Sequence, residues 1–442
     1  MTTATTYQSS EPIHSPSRNR LDLNDRSFHD WYRFVLSFPP HLVKHYLDAF
    51  DPPAGSKVLD PFCGTGTTLV EGMKNGFNVV GIEANPVAHL ASSVKTSWSL
   101  DPTELEDLSR AIAKNVRTSL TSSGIKDSIA DDVLNEQRTL YGLRDLDDDQ
   151  RSLILRDSIS PLPLHRTLEL LASLPEGFDG TTGAMKLALA KGLVGPIGNL
   201  HFGPEVGVVR KKRVDAPVID IWLQNVIQQV EDLRSLEKTN YPISETHLAD
   251  SRTVIETIPD KSIGALFTSP PYPNEKDYTR TTRLESVLLG FISNKKELRN
   301  LKQGLLRSNT RNIYASDADH EIGLKHDRIR HLCDQIEARR KDLGKTSGFE
   351  KLYWKVTAAY FGGMERHLES LKRILIPGAQ LGYVVGDQAS YFRIPIQTGE
   401  ILAQVAETVG YKVVSIDLFR TRLATATKQQ LREEVVVLEW CP

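Results

Sequence analysis

The sequence predicts an α/β chain: a mostly parallel twisted sheet with an antiparallel edge hairpin and large helical insertions. Three observations predict it. Residues 57–83 read strand, glycine turn, helix, strand, and a strand–helix–strand crossover implies a parallel pair. Short apolar runs alternating with helical periodicity return at about 245 and continue to 409. Two β-rich runs, 412–419 and 434–440, then close the chain, which suits an antiparallel edge.

Composition frames that reading. The 442 residues are 40% hydrophobic and 25% charged, ordinary globular usage for roughly two or three domains. No apolar run approaches the ~18–20 residues of a membrane span, and mean hydropathy is −0.31. A soluble, cytoplasmic protein is expected. Cys63, Cys333 and Cys441 are too few and too scattered for a disulfide framework or a zinc site.

The elements follow in order. Residues 1–27, with Arg18 and Arg20, are rich in Ser, Thr, Asn and Arg, lack an apolar core, and read as a flexible tail. After the break at Pro39-Pro40, Leu42, Val43, Tyr46, Leu47 and Phe50 recur at helical spacing. A strand over 57–59 ends in Asp60, a helix covers about 67–75, and a strand over 78–82 ends in Glu83. Residues 88–241 are mostly helical and too long for one crossover, so 101–244 is an insertion between a first half, 28–100, and a second, 245–442. Its acidic run at 145–149 reads as a solvated face. Beyond it come a strand ending near Asp250, a strand over 263–268, a charged helical insertion over 281–350, a helix over 360–376, a strand over 380–385 and a helix over 398–409.

Charge is segregated. The net charge is −2, yet residues 101–200 hold 11 basic and 16 acidic side chains, and 281–345 hold 14 and 9. A phosphate backbone should therefore meet the later segment.

Chemistry concentrates at the strand ends. Asp60-Pro-Phe-Cys-Gly-Thr-Gly-Thr-Thr68 sets two glycines between strand and helix, where the backbone can approach a ligand. Leu69 stands where a dinucleotide fingerprint wants a third glycine, and no P-loop lysine follows, so an adenosine-type cofactor is expected rather than a dinucleotide. Glu83 is placed to accept both hydroxyls of a ribose, and Asp250 to accept from an adenine amino group. Thr268-Ser-Pro-Pro-Tyr272 follows a strand, and its two prolines remove donors and stiffen the turn. The carbonyls and Ser269 then form a fixed acceptor set, with Tyr272 as a stacking face, which suits an exocyclic amino group on a planar base.

DPFCGTGTT together with TSPPY resembles the S-adenosylmethionine-dependent DNA amino-methyltransferases, which modify cytosine N4 or adenine N6 and have a Rossmann-like sheet. The resemblance covers about 28–100 and 245–442. It implies a cofactor set of Phe38, Pro39, His41, Asp60, Pro61, Phe62, Gly64, Gly66, Thr67, Glu83 and Asp250, binding S-adenosyl-L-methionine. It implies a catalytic set of Ser269, Pro270, Pro271 and Tyr272, whose serine form is more typical of N4-cytosine enzymes. Tyr278, Arg280, Gly386 and Asp387 resemble positions near the target base. The order departs from the usual one: the cofactor loop precedes SPPY, with 101–244 between them as a candidate target-recognition region.

Double-stranded DNA is thus the expected partner, with a cognate restriction endonuclease alongside it. Arg280, Arg283, Lys295, Lys296, Arg307 and Arg311 are the candidate phosphate contacts, with Arg339, Arg340 and the 210–213 cluster behind them. Adenine N6, an RNA base and a non-catalytic binding module follow N4-cytosine as alternatives. No cysteine nucleophile is required, because a direct displacement at nitrogen involves no covalent adduct with the base.

Overall fold

Seven strands form one sheet, and its order decides where everything else goes. In the computed structural model, which describes residues 25–33, 37–127, 142–202, 206–236, 240–253, 256–274, 276–423 and 430–442, helix α1 (Pro40–Phe50) leads into β1 (Lys57–Asp60), α2 (Thr67–Lys74), β2 (Val79–Glu83) and α3 (Pro86–Lys95). The expected tail, Arg18 and Arg20 included, lies almost wholly outside the described residues. The first insertion contributes α4 (Pro102–Ser122), α5 (Asp148–Leu153), α6 (Pro161–Ser173), α7 (Gly180–Val194), a small hairpin of β3 (Leu200–Phe202) and β4 (Val206–Val208), and α8 (Val218–Arg234). The sheet resumes with β5 (Ser244–Leu248) and β6 (Ile263–Thr268). Then come α9 (Tyr278–Thr281), α10 (Arg283–Leu288), α11 (Lys295–Gln303), α12 (Asp319–Gly323) and α13 (Asp327–Asp342). Last are α14 (Tyr353–Leu371), β7 (Leu375–Gly386), α15 (Thr398–Thr408), β8 (Tyr411–Leu423) and β9 (Gln430–Trp440).

The strand order is β5-β2-β1-β6-β7-β9-β8. The first five run parallel, and β9 is antiparallel to both β7 and β8. This is the Rossmann-like α/β arrangement with an antiparallel edge. Period-2 alternation feeds two cores. Val58, Ala265 and Val384 face one core with α1 to α8, while Leu59, Leu266 and Val385 face the other with α13 to α15.

Local sequence explains most boundaries. Pro40 opens α1, and Asp51, in the left-handed region at φ 40°, closes it with its N–H on the Leu47 carbonyl. Asn85 caps α3 by accepting from the N–H groups of Val87 and Ala88. The acidic run forms a capping box, Asp147 with Gln150, at the start of α5, consistent with a solvated role.

Two features depart from expectation. The β3–β4 hairpin interrupts the helical insertion. The helix expected over 360–376 instead spans Tyr353–Leu371, because Leu375 pairs with Ile263 and lengthens β7. The apolar spacing of Leu371, Ile374 and Leu375 fits a last helical turn as well as a strand start, and the neighbouring strand decides.

The first insertion extends the core on its face of the sheet. Leu105, Leu170, Leu187, Leu189, Trp222 and Val226 are all fully buried, and the Trp222 indole donates to the Met185 carbonyl at 2.9 Å. Just before α1, the segment at 28–32 ties this insertion to the sheet domain. Trp31 donates to Asp232 at 2.6 Å, Tyr32 to Glu285 at 2.7 Å, and His29 pairs with Glu71 at 2.8 Å.

Candidate functional site

The five parallel strands present their carboxyl ends side by side. The strand order lines up Asp250, Glu83, Asp60, Ser269 and Gly386 along one edge, beyond β5, β2, β1, β6 and β7. From β1 the chain proceeds to β2 on one side, and from β6 to β7 on the other. The β1/β6 boundary is therefore a topological switch point, where open α/β sheets bind ligands.

The loop after β1 is held open by its glycines and carboxylates. Gly66 has φ +87°, and a Cβ there would lie 3.0 Å from Ser92 Cα, so only glycine fits against α3. A Cβ on Gly64, at φ +50°, would meet only the Phe62 carbonyl, at 4.0 Å, leaving a concave backbone. Glu83 fastens the loop: one oxygen accepts from Gly64 N–H and the other from Asn85 N–H, each at 2.8 Å. Each of those oxygens keeps a second lone pair for a ligand hydroxyl. Asp60 accepts from Phe62 N–H at 3.1 Å and from the Thr268 hydroxyl at 2.6 Å, coupling the glycine loop to the strand before SPPY. Burial raises Glu83 to about 7 and Asp60 to about 6, with these hydrogen bonds opposing the shift. Thr67 opens α2, whose free N–H groups favour an anionic or electron-rich partner. Cys63 is buried against Gly81, and burial pushes its thiol well up, as befits a packing residue.

Phe38 and Pro39 lead into α1. Phe38 meets Phe267 of β6 edge-on at 5.5 Å, Pro39 caps α1, and His41 sits half-buried in its first turn. Phe62 stacks obliquely on His367 at 4.9 Å. His367, on α14, is fully buried between the Ser251 carbonyl at 3.0 Å and the Tyr383 hydroxyl at 2.9 Å, and burial holds it near 4, so its ring is neutral. Asp250 stands where expected, but its carboxylate is already engaged by Arg252 through Nε and Nη2. Neither His367 nor Arg252 carries a sequence signal. One lies in an apolar helix and the other in a short loop, and each acquires its role only through partners distant in the chain.

After β6, the Ser269 hydroxyl donates to the Val384 carbonyl at 3.0 Å, pinning the motif to β7. Among the described residues, no hydrogen bond forms to the carbonyls of Pro270 or Pro271, so both remain available as acceptors. The Tyr272 ring rests against the backbone of β7: a Cβ on Gly386 would lie 3.2 Å from Tyr272 Cε2. Tyr278 brings its hydroxyl to 3.5 Å from Tyr272 N, and burial raises it to about 12. Asp387 instead accepts from Thr398 N–H, at the start of α15, at 3.2 Å.

The basic candidates divide. Lys295, Lys296 and Arg311 are exposed, and α11 buries none of its residues. Leu284 to Ile292 belong to the first core, α11 rests Leu298 and Leu301 on that core, and Leu306 belongs to the second. Arg307 is a correction. It is buried, with four of its five N–H donors on Asp317 and on the carbonyls of Lys302, Gln303 and Leu305, so its guanidinium is turned inward and not toward a phosphate. Arg283 is likewise turned inward, donating to Thr279 and to the Leu153 carbonyl. Arg280 is half-buried beside it. Of the reserves, Arg340 pairs with Glu337, and Arg213 donates to the carbonyls of Gly195 and Gly198. Arg339, Arg210 and Lys211 are exposed.

Known proteins resemble this chain in sequence. Residues 10–93 match the DNA methylase family of N6 and N4 type. The chain is 25% identical to the type II methyltransferase M.BsoBI of Geobacillus stearothermophilus, over 94% of this chain and 86% of that protein. It is 36% identical to the type II methyltransferase M.MvaI of Kocuria varians over 19% of this chain and 18% of that one. It is 29% identical to the type II methyltransferase M.AvaI of Nostoc over 37% and 34%. Among the described residues, no helix is long and apolar enough to cross a membrane, and no group of three or more His, Cys, Asp or Glu is placed to hold a metal.

Proposed function

We propose that this chain, a member of the N6/N4 DNA methylase family, methylates the exocyclic N4 amino group of cytosine in double-stranded DNA, with S-adenosyl-L-methionine as donor. One observation carries the reading: the Ser269–Tyr272 acceptor set lies across the β1/β6 switch point from the Asp60–Glu83 loop. The serine form of the motif favours cytosine.

The residues fit the cofactor. The concave backbone at Gly64 gives room, Glu83 offers lone pairs to a ribose diol, and Phe62 offers an aromatic face. When bound, the cofactor supplies an electrophilic methyl group on a sulfonium. Phe38, Pro39, His41, Pro61, Gly66 and Thr67 would shape the rest of its pocket.

The chain's own work is orientation and charge stabilisation. The target nitrogen would gain positive charge as its bond to the methyl carbon forms and the carbon–sulfur bond breaks, and would then lose a proton to solvent. The Pro270 carbonyl, with the Ser269 hydroxyl oxygen, accepts the amino N–H bonds and stabilises that charge in place. Tyr272 stacks on the base once it leaves the duplex, at an unstacking cost of a few kcal/mol. Arg280, Lys295, Lys296 and Arg311 would meet phosphates, and residues 101–244 would read the sequence. The type II relatives support a cognate endonuclease as partner.

Nucleoside mass spectrometry of DNA incubated with the protein and S-adenosylmethionine tests this. N4-methylcytosine is the expected product. N6-methyladenine would keep the mechanism and replace the base. No modified nucleoside in DNA, with cofactor bound, would sink the DNA-methylation reading and leave RNA or simple binding.

A further inference from the structure

Asp250 meets more donors than a cofactor contact needs. Its Oδ1 accepts from the Arg252 backbone N–H at 2.9 Å and from Arg252 Nε at 3.0 Å. Its Oδ2 accepts from Arg252 Nη2 at 2.6 Å and shares Nε at 3.1 Å. A carboxylate offers about four lone-pair sites, and this pattern leaves one of them, on Oδ2.

Arg252 does not hold this pose alone. It is buried, and its Nη1 donates at 2.6 Å to Oδ2 of Asp319, a residue 67 positions later and only 1% exposed. Arg366, on α14, donates to the other Asp319 oxygen at 2.6 Å, and the Gln303 carbonyl accepts from Arg252 Nη2 at 3.2 Å. Gly363 lies against this chain: a Cβ there would lie 2.6 Å from Leu306 Cδ1, 3.3 Å from Asp319 Oδ2 and 3.4 Å from Arg252 Cδ. Two carboxylates and two guanidinium groups thus alternate from the sheet edge through Asp319 of the second insertion to α14. Burying such a chain stabilises little compared with apolar packing of equal volume, so what it secures is geometry. The planar fork of arginine can hold two carboxylates at once, and an ammonium group cannot do so in fixed orientation.

We propose that Arg252, braced by Asp319, is a positioning residue for cofactor recognition, fixing the Asp250 carboxylate so that one acceptor site faces one N–H of the adenine 6-amino group. This deepens the proposed function and rests on Asp250 being the adenine-side contact. The second insertion thereby takes part in choosing the cofactor, although its basic helix faces outward.

The test is equilibrium binding of S-adenosylhomocysteine and of its 6-oxo analogue, S-inosylhomocysteine, to the full chain. The proteins compared are wild type, D250N, R252K and D319N, each checked by thermal melting. Wild type should prefer the amino form by about tenfold or more, the worth of a hydrogen bond to a charged acceptor. D250N should lose that preference. R252K and D319N should reduce it to threefold or less while still melting cooperatively, and R252K alone decides if D319N does not fold. A wild-type preference retained in R252K overturns the positioning role. Absence of preference in wild type, or its survival in D250N, instead overturns the assignment of Asp250.

Discussion

The two helical insertions meet the sheet differently: the first packs against one face, whereas the second starts on that same face with Leu284 to Ile292 and continues on the other from Leu306. The first buries Leu187, Leu189, Trp222 and Val226 completely and holds together by apolar packing. The second buries apolar side chains too, among them Val287, Ile329 and Ile336, but adds a dense run of buried polar groups: Arg307, Ser308, Asn309, Thr310, Asn312 and Asp319. Burying polar atoms costs free energy unless each finds a partner. Here the partners belong largely to the site: Asn309 donates to the Lys276 carbonyl at 2.9 Å, Lys302 to Asp277 at 2.7 Å, and Arg252 to Asp319. An insertion joined to the sheet chiefly by apolar packing can vary with little effect on the chemistry. One laced to the site by hydrogen bonds is part of its geometry.

Substitutions can break that contrast. The largest effect is expected from Trp222→Ala, which empties a fully buried site and should lower stability by about 3–5 kcal/mol in a denaturant melt. Cofactor affinity of the folded fraction should hardly move; a parallel fall in affinity would erase the distinction between the insertions.

A pH-dependent effect comes next. Glu285 is buried at the start of the second insertion, accepting from Tyr32, and burial raises it to about 7. A raised carboxyl binds more protons folded than unfolded, so its contribution to stability falls as pH rises from about 4.5 through 7. Glu285→Gln should therefore match wild type near pH 5 and exceed it by about 2–3 kcal/mol near pH 8. Parallel stability curves for the two proteins would show that Glu285 does not titrate in this window.

Asn309→Ala should cost about 1–2 kcal/mol of stability. Its greater consequence should be slower methyl transfer, because the loop after SPPY loses its anchor. Steady-state kinetics would reveal this, and a change in stability without any change in kcat would place Asn309 with the merely structural residues. Charge reversal at Lys295 and Lys296 should leave stability within experimental scatter. The slope of log affinity against log salt should shrink by about 2, one unit for each phosphate contact removed. An unchanged slope would move the DNA path away from α11.

Legibility follows the range of the interactions. Strand limits around 57–60 and 263–268 agreed with expectation because a short apolar run bounded by glycine or proline has few alternative structures. The end of α14 did not, since Leu375 is chosen for β7 by pairing with Ile263, 112 residues earlier. Asp60, Glu83 and Ser269 were legible because each ends a strand beside a conformationally special turn. Arg307 misled because a basic side chain in a charged segment reads as solvated, whereas Asp317 and three carbonyls draw it inward.

The sequence by itself determined the βαβ unit, the glycine loop, the acceptor motif and the sign of charge in each insertion. These depend on backbone freedom, proline stiffness and composition within a few residues. Tertiary structure alone decided that the five strand ends share one edge, that Phe62 lies on His367, and that Asp250 is held through Arg252 by Asp319. Those contacts join residues tens to hundreds of positions apart, and the pairing that unites them is a property of the folded sheet, invisible to any local pattern.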